Sequence, residues 1–121
     1  MELKTLPYDL TVCKLPPAAE PELSGEIFFL AKTPDELSLV CPEENVPAGT
    51  TVREDGWKGF CIPGELDLSL IGVLAGITAV LAREEISVFA LSTFNTDYIL
   101  VKKENYDRAR DALIRSGYKL T

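Results

Sequence analysis

The sequence predicts a small α+β protein, and three observations lead to that fold class. The chain has 121 residues, of which 46% are apolar, enough for one compact domain or for two very small ones that share a core. Seven of its eight prolines lie in the first 47 residues, which favours short strands and turns there because proline ends helices and avoids central strands. The second half alternates strand-like runs with two segments of helical periodicity.

The first half is predicted to form three strands joined by turns. The β-favouring runs that predict these strands are 8–15, 26–32 and 37–41. A turn is expected at 33–36, where Pro34 suits the second turn position. Residues 18–23 leave room for one helical turn at most, and the polar segment 43–56 is predicted to be a connector.

The second half is predicted to be more regular. Its elements in chain order are a strand at 57–62, a helix ending near Arg83, strands at 86–91 and 97–102, a helix at 104–116 and a strand at 118–120. Asp67 or Ser69 can cap the first helix, and Gly117 is suited to the position just after the second. The apolar positions with the helical period of the first helix are Leu70, Ile71, Val73, Leu74, Ile77, Val80 and Leu81.

The order β-α-β-β-α-β from Trp57 onward is that of the ferredoxin-like split βαβ arrangement. It predicts an antiparallel sheet with two helices on one face. The first half supplies β, turn, β, β, which resembles the same unit with its helices reduced or missing. We therefore divide the chain into a truncated β-rich repeat at 1–56 and a complete βαββαβ domain at 57–121.

The charge balance and the absence of histidine exclude several classes of function. The net charge of −7 opposes binding to nucleic acid or to an anionic membrane surface. Without histidine the chain cannot by itself build a Ser–His or Cys–His nucleophilic site. It also contains no P-loop and no cluster with the spacing of metal ligands. We expect a protein that is not an enzyme and needs neither metal nor cofactor.

The cysteines and the apolar runs predict a cytoplasmic location. Cys13, Cys41 and Cys61 form no CxxC pair and are odd in number, which suits buried thiols in a reducing compartment. The longest nearly apolar run, 70–82, is too short to span a membrane. The N-terminal residues lack the pattern of a signal peptide.

A site for an α-amino acid can be assembled from residues of the second half. The free N–H groups at the helix start near Leu70 can hold a carboxylate, Asp97 can hold an ammonium group, and Phe94 can form a wall of the pocket. Hydroxyl and amide partners are available from Ser92, Thr93, Asn95 and Thr96. The same segment is equally consistent with a simple hairpin turn in which Asp97 only caps the backbone.

Two segments, 66–75 and 86–101, resemble an ACT domain, and the run STFNTDYILVKKEN is the most specific part. The chain is similar to small bacterial tandem ACT proteins and to the ACT repeats of aspartate kinases and of the animal cytosolic arginine sensors. The resemblance implies a βαββαβ fold, side-by-side assembly of sheets, and an amino acid or other small effector bound where a helix start meets a neighbouring ACT unit. The ligand-binding positions that it implies are Ser69, Leu70, Ile71, Gly72, Ser92, Thr93, Phe94, Asn95, Thr96 and Asp97.

The function expected from residues and resemblance together is that of a regulatory module. It would bind an amino acid at an ACT–ACT interface, assemble as a homodimer and act allosterically, with a protein as a further possible partner. The alternative is a structural or protein-interaction module whose ligand site has degenerated. An alanine at Asp97 would separate the two, because it should abolish ligand binding only in the first.

Overall fold

The computed structural model describes residues 1–65 and 71–121, and in this part of the chain there are eight strands and two α-helices. The strands are β1 (Glu2–Thr5), β2 (Leu10–Leu15), β3 (Phe29–Lys32), β4 (Leu37–Pro42), β5 (Val52–Cys61), β6 (Phe89–Ser92), β7 (Asp97–Lys102) and β8 (Lys119–Leu120). The helices are α1 (Val73–Arg83) and α2 (Tyr106–Arg115). Short 3-10 helices span Glu43–Asn45 and Lys103–Asn105.

Contacts divide the chain into two units. The helical unit consists of residues 1–7 and 58–121. The other unit consists of residues 8–57 and is called the helix-free unit because it contains no α-helix. The long strand β5 contributes its first residues to the helix-free unit and its last to the helical unit. The predicted division after residue 56, and the interpretation of the first part as a truncated repeat, stay a prediction.

The helical unit has the strand order β6-β7-β5-β1-β8. Strands β5 to β8 and the two helices follow the predicted βαββαβ sequence of elements, so the ferredoxin-like α+β fold is confirmed. The ring of Phe60 on β5 stacks on Tyr106 of α2, with centroids 5.2 Å apart. The buried core comes from both helices and the sheet: Leu3, Phe60, Ile62, Ile77, Val80, Leu81, Ile86, Ile99, Val101, Ala109, Ala112 and Leu113.

The helix-free unit has the strand order β3-β4-β2-β5, and all of these pairs are antiparallel. Its buried core consists of Cys13, Leu15, Leu37, Leu39 and Cys41. Three partly buried side chains pack against this core: Ala19, Phe28 and Val46.

The two units contain the same hairpin at an interval of 60 residues. Strands β3 and β4 with their 3-10 helix begin at residues 29, 37 and 43, and β6 and β7 with theirs begin at 89, 97 and 103. Thr33 and Thr93 occupy the same position in the two turns, and each N–H donates to the carbonyl three residues on at 2.9 Å. The resemblance between the halves therefore extends from element order to hydrogen bonding.

The structure corrects the prediction of a purely antiparallel sheet. The N-terminal strand β1, which the sequence analysis did not predict, pairs antiparallel with β5 and parallel with β8. The helical unit therefore contains a mixed sheet with β1 between its first and last ferredoxin-like strands. Four residues of mixed polarity, ELKT, carry too little periodicity to predict a strand by themselves.

Several boundaries also differ from the predictions, among them the start of β3, which is Phe29 and not residue 26. Strand β5 begins at Val52, inside the predicted connector, because the charged residues VRED obscure its apolar pattern. Strand β6 begins at Phe89 and not at residue 86. In the described part of the chain α1 begins at Val73, while the predicted helix start at Leu70 and the caps Asp67 and Ser69 lie outside the described residues.

Candidate ligand-binding site

The candidate site is built on the turn between β6 and β7. The Thr93 N–H donates to the Thr96 carbonyl at 2.9 Å, and the Thr93 hydroxyl donates to the same carbonyl at 3.1 Å. The Thr96 N–H donates back to Thr93 Oγ1 at 3.3 Å. A side chain that bonds to nearby backbone in this way stabilises a tight turn. The hydrogen bonds of Thr93 therefore stabilise the turn between β6 and β7.

Thr96 connects this turn to the end of β5. Its side chain is buried, and its hydroxyl donates to the Ile62 carbonyl at 2.8 Å. The Ile62 N–H reaches the Asp97 carbonyl at 3.4 Å. The turn is thus fixed beside the point where the chain leaves the sheet toward α1.

Asp97 stands at the first position of β7, opposite Ser92 at the last position of β6. The Ser92 hydroxyl donates to Asp97 Oδ1 at 2.6 Å, a short distance typical of a hydrogen bond to a charged acceptor. This hydrogen bond orients the Asp97 carboxylate at the end of the hairpin next to the turn. A carboxylate accepts several hydrogen bonds, so Asp97 keeps acceptor capacity for a cationic group.

Phe94 and Asn95 form the exposed tip of the turn. The Phe94 side chain is 80% exposed, which is unusual for an aromatic ring in a chain with this much apolar core. It therefore offers apolar surface to a ligand or to another protein surface. Asn95 is also exposed and provides an amide beside it.

The start of α1 supplies the second element of the predicted site. Gly72 is the N-cap residue with φ of +81°, in the left-handed region, and among the described residues no side chain caps the helix there. The neighbouring Ile71 is 96% exposed. The first-turn N–H groups of a helix lack intrahelical acceptors, so this end of α1 favours a negatively charged group.

Hydrogen bonds join some of the predicted positions, and Gly72 lines a cavity whose described lining includes none of the others. Hydrogen bonds join Ser92 to Asp97 and Thr93 to Thr96. Gly72 lines a separate cavity of about 240 Å³ with Met1, Val73, Ser116, Gly117 and Tyr118. The predicted positions Ser69 and Leu70 lie outside the described residues.

Sequence reasoning missed three contributors near these positions. The Ile62 carbonyl anchors Thr96, and Met1 and Tyr118 border the cavity beside Gly72. A backbone acceptor leaves no signal in a sequence, and Met1 and Tyr118 come from the two chain ends. The repeated threonine of the two turns, Thr33 and Thr93, was a usable signal for the turn geometry.

Two titratable groups lie close to the end of β5. Burial raises the pKa of the Cys61 thiol, an effect that the nearby Lys4 partly offsets. Burial also raises the pKa of Tyr98, and Cys61 adds to this shift. Both groups are therefore neutral near pH 7 and contribute no charge to the site.

Within residues 1–65 and 71–121, no three Cys, Asp or Glu side chains are grouped so that they could hold a metal ion. No helix among the same residues is long and apolar enough to cross a membrane.

A family model described as "ACT domain" matches residues 52–115, which is more than half of the 121 residues. The chain belongs to the ACT domain family. This family assignment gives the protein, in general terms, the role of a regulatory domain that binds a small molecule. The match covers β5, both helices and the 92–97 hairpin, and so includes the candidate site.

Solved structures agree with this fold. The protein Atu0741 from Agrobacterium tumefaciens has a TM-score of 0.88 and 25% identity, with 99% of this chain and 91% of that chain covered. A Vibrio cholerae protein of unknown function, described as a possible transport protein, has a TM-score of 0.68 and 20% identity over 94% and 88% of the two chains. Clostridium acetobutylicum aspartate kinase, described as an allosteric enzyme, has a TM-score of 0.63 and 12% identity, with 93% of this ACT protein and 32% of the kinase covered. No curated protein matches the chain.

Proposed function

We propose that this ACT protein is a regulatory module whose effector is an amino acid bound at an ACT–ACT interface. The observation that carries the proposal is the Ser92–Asp97 hydrogen bond of 2.6 Å beside the exposed ring of Phe94. It places an oriented carboxylate and an apolar surface at one hairpin. An ammonium group and an aliphatic or aromatic side chain match these two features.

The remaining part of an amino acid is its carboxylate. In our proposal this group binds to the free N–H groups at the start of α1, next to Gly72. Ser69, Leu70 and Ile71 belong to the same proposed segment, and Asn95 supplies an additional amide. Thr93 and Thr96 keep the hairpin in the required shape through their own hydrogen bonds.

In this proposal a second copy of the chain completes the site and makes the active form a homodimer. A ligand that contacts two units stabilises their association by its own binding free energy. The output is allosteric regulation of a partner protein and not catalysis, in the reducing cytoplasm that three buried thiols suit. The helix-free unit is, in this view, a truncated ACT-like repeat.

A thermal-shift screen against the twenty amino acids at millimolar concentration tests the proposal. A ligand present at about one hundred times its Kd stabilises the protein by about 2.7 kcal/mol, enough to raise the melting temperature by several degrees. We expect one amino acid, or one chemically related group, to stand out. Sedimentation velocity with and without that amino acid should show a larger dimer fraction when it is bound.

Asp97→Asn is the decisive variant, and Asp35→Asn is its matched control. Asp35 lies in the equivalent turn of the helix-free unit and is exposed. We expect Asp97→Asn to remove the thermal shift and Asp35→Asn to preserve it. A shift that survives in Asp97→Asn would contradict the assigned role of Asp97, and a flat screen would contradict the amino-acid effector.

The exposure of Phe94 and Ile71 favours one alternative, a protein-interaction module with a degenerate ligand site. These two side chains are 80% and 96% exposed, and exposed apolar groups are typical of docking surfaces when they are contiguous. Under this alternative, Phe94→Ser would weaken self-association or partner binding, and Asp97→Asn would not. A flat amino-acid screen together with that result would favour the alternative.

A further inference from the structure

The helix-free unit contains a cavity of about 490 Å³ that the proposed function does not use. Its volume falls within the range of about 300–1,000 Å³ that is typical of small-molecule sites. The residues that line it come from the end of β2, the following crossover and the segment after β4: Leu15, Ala19, Glu20, Pro21, Glu22, Ser24, Glu44, Asn45, Val46, Pro47 and Ala48. None of them belongs to the candidate amino-acid site.

This cavity lies on the face of the sheet that carries helices in the helical unit. At the interval of 60 residues, Leu39 and Cys41 of β4 correspond to Ile99 and Val101 of β7. In the helical unit Ile99 and Val101 share a core with the buried side chains of α1 and α2. In the helix-free unit the equivalent core is covered by loop residues, of which Ala19 and Val46 also line the cavity. Because residues 8–57 contain no α-helix, space remains beside this apolar core.

The walls of the cavity combine apolar surface with negative charge. Ala19 and Val46 are half-buried, pack against the core that contains Leu15, and form an apolar base. Glu20, Glu22 and Glu44 are exposed at the border, and the described lining includes neither lysine nor arginine. Ser24 and the Asn45 carboxamide add further polar groups. A ligand for this lining needs an aliphatic part and at least one positive charge.

We propose that this cavity binds a small aliphatic amine or diamine. The aliphatic chain covers the apolar base, and the ammonium groups donate hydrogen bonds to the border carboxylates. A free carboxylate on the ligand would be repelled by the same glutamates, so the site excludes the amino-acid effectors proposed for the hairpin. The proposal stands independently of the proposed function.

Isothermal titration of the full chain with 1,4-diaminobutane, n-butylamine and butyrate tests this proposal. We expect saturable binding of the diamine with one site per chain, weaker binding of the monoamine and none of butyrate. Glu22→Gln combined with Glu44→Gln should weaken diamine binding about tenfold, the amount expected when a hydrogen bond to a charged group is lost. Ala48→Trp should also weaken it, because the indole would occupy part of the cavity.

The repeat supplies the matched control. Glu104 corresponds to Glu44 at the interval of 60 residues, but it lies in the helical unit and is exposed there. We expect Glu104→Gln to bind the diamine as the wild type does. Circular dichroism should show that all variants keep the wild-type fold.

Several results would overturn the proposal. These are absence of diamine binding at millimolar concentration, equal binding of butyrate, and an unchanged diamine affinity in both cavity variants. Binding of a lysine-rich peptide without binding of the diamine would identify a protein-docking surface instead. None of these titrations uses an amino acid, so failure here leaves the amino-acid screen to be judged by its own result.

Discussion

Burial keeps the three cysteine thiols protonated by raising their pKa values. Cys13, Cys41 and Cys61 are all buried, and the pKa of each thiol is raised mainly because burial penalises the thiolate. The effect is largest at Cys41, where the pKa rises from 9.0 to about 11. Thiols of this kind are poor nucleophiles near pH 7.

The raised pKa of Cys41 predicts a loss of stability at alkaline pH. Because the unfolded chain releases the thiol proton more easily, the contribution of Cys41 is fully present below pH 9 and disappears as the pH rises to about 11. The loss is on the order of 1–3 kcal/mol. Urea unfolding of wild type and Cys41→Val at several pH values in this window should show a steeper decline for the wild type.

The slope of the free energy of unfolding against pH distinguishes the titration of Cys41 from the change in packing that the substitution causes. Cys41→Val changes packing at every pH, which moves the whole curve without changing its slope. Parallel curves for the two proteins would contradict the assignment to Cys41 and would attribute the alkaline decline to other groups.

Among the elements, the short strand β1 has the largest consequence for the fold. It lies between β5 and β8 and places Leu3, fully buried, in the core of the helical unit. Backbone bonds from Thr5 to Thr121 and from Thr121 to Leu3 attach the two chain ends to each other. The ferredoxin-like unit therefore depends on residues that lie 47 to 50 positions before the start of β5.

Leu3→Ala should destabilise the protein by about 2–5 kcal/mol, the range for truncation of a buried leucine. Glu2→Ala is the matched control, because Glu2 lies in the same strand but its side chain is exposed. We expect that variant to stay within about 0.5 kcal/mol of the wild type. Chemical unfolding measures both, and equal effects would show that β1 is not integrated into the core.

At the scale of elements, the sequence predicted best where periodicity was strong. Strand β7 was predicted with its observed bounds at 97–102, and α2 was predicted within two residues of Tyr106–Arg115. β1 was not predicted, and the start of β5 was hidden by the charged residues before Gly56. Their pairing partners are distant in sequence, and local propensity carries no information about such partners.

For the whole molecule, the excess of acidic residues is the dominant electrostatic feature. The chain has 19 acidic and 12 basic residues and a net charge of −7. Self-repulsion of this kind weakens the compact state and is reduced by added salt. The exposed ion pairs Arg53–Asp55 and Arg115–Glu84 contribute little stability that salt could remove.

We therefore expect the melting temperature to rise by a few degrees between low salt and physiological ionic strength. Differential scanning calorimetry in sodium chloride and in potassium chloride measures the rise and tests whether it depends on ion identity. A decrease with added salt would indicate that attractive ion pairs outweigh the net repulsion.

At the candidate site, too, part of the arrangement could be predicted from the sequence and part could not. The sequence indicated the residue types at 92–97, because a polar turn between two apolar strands is recognisable locally. It left open whether Asp97 capped the turn or pointed elsewhere, and the hydrogen bond from Ser92 became visible only in the folded hairpin. The Ile62 carbonyl that anchors Thr96 could not be anticipated.

Composition and local pattern are enough to predict the α+β class, the βαββαβ order, the hairpin turn and the acidic charge, because each of these depends on neighbouring residues or on composition. The insertion of β1, the mixed sheet, the extent of β5 and the cavity of the helix-free unit became known from the three-dimensional structure. Those features depend on pairings between distant segments, whose free energy comes from the burial and hydrogen bonding of groups that are not neighbours in the chain.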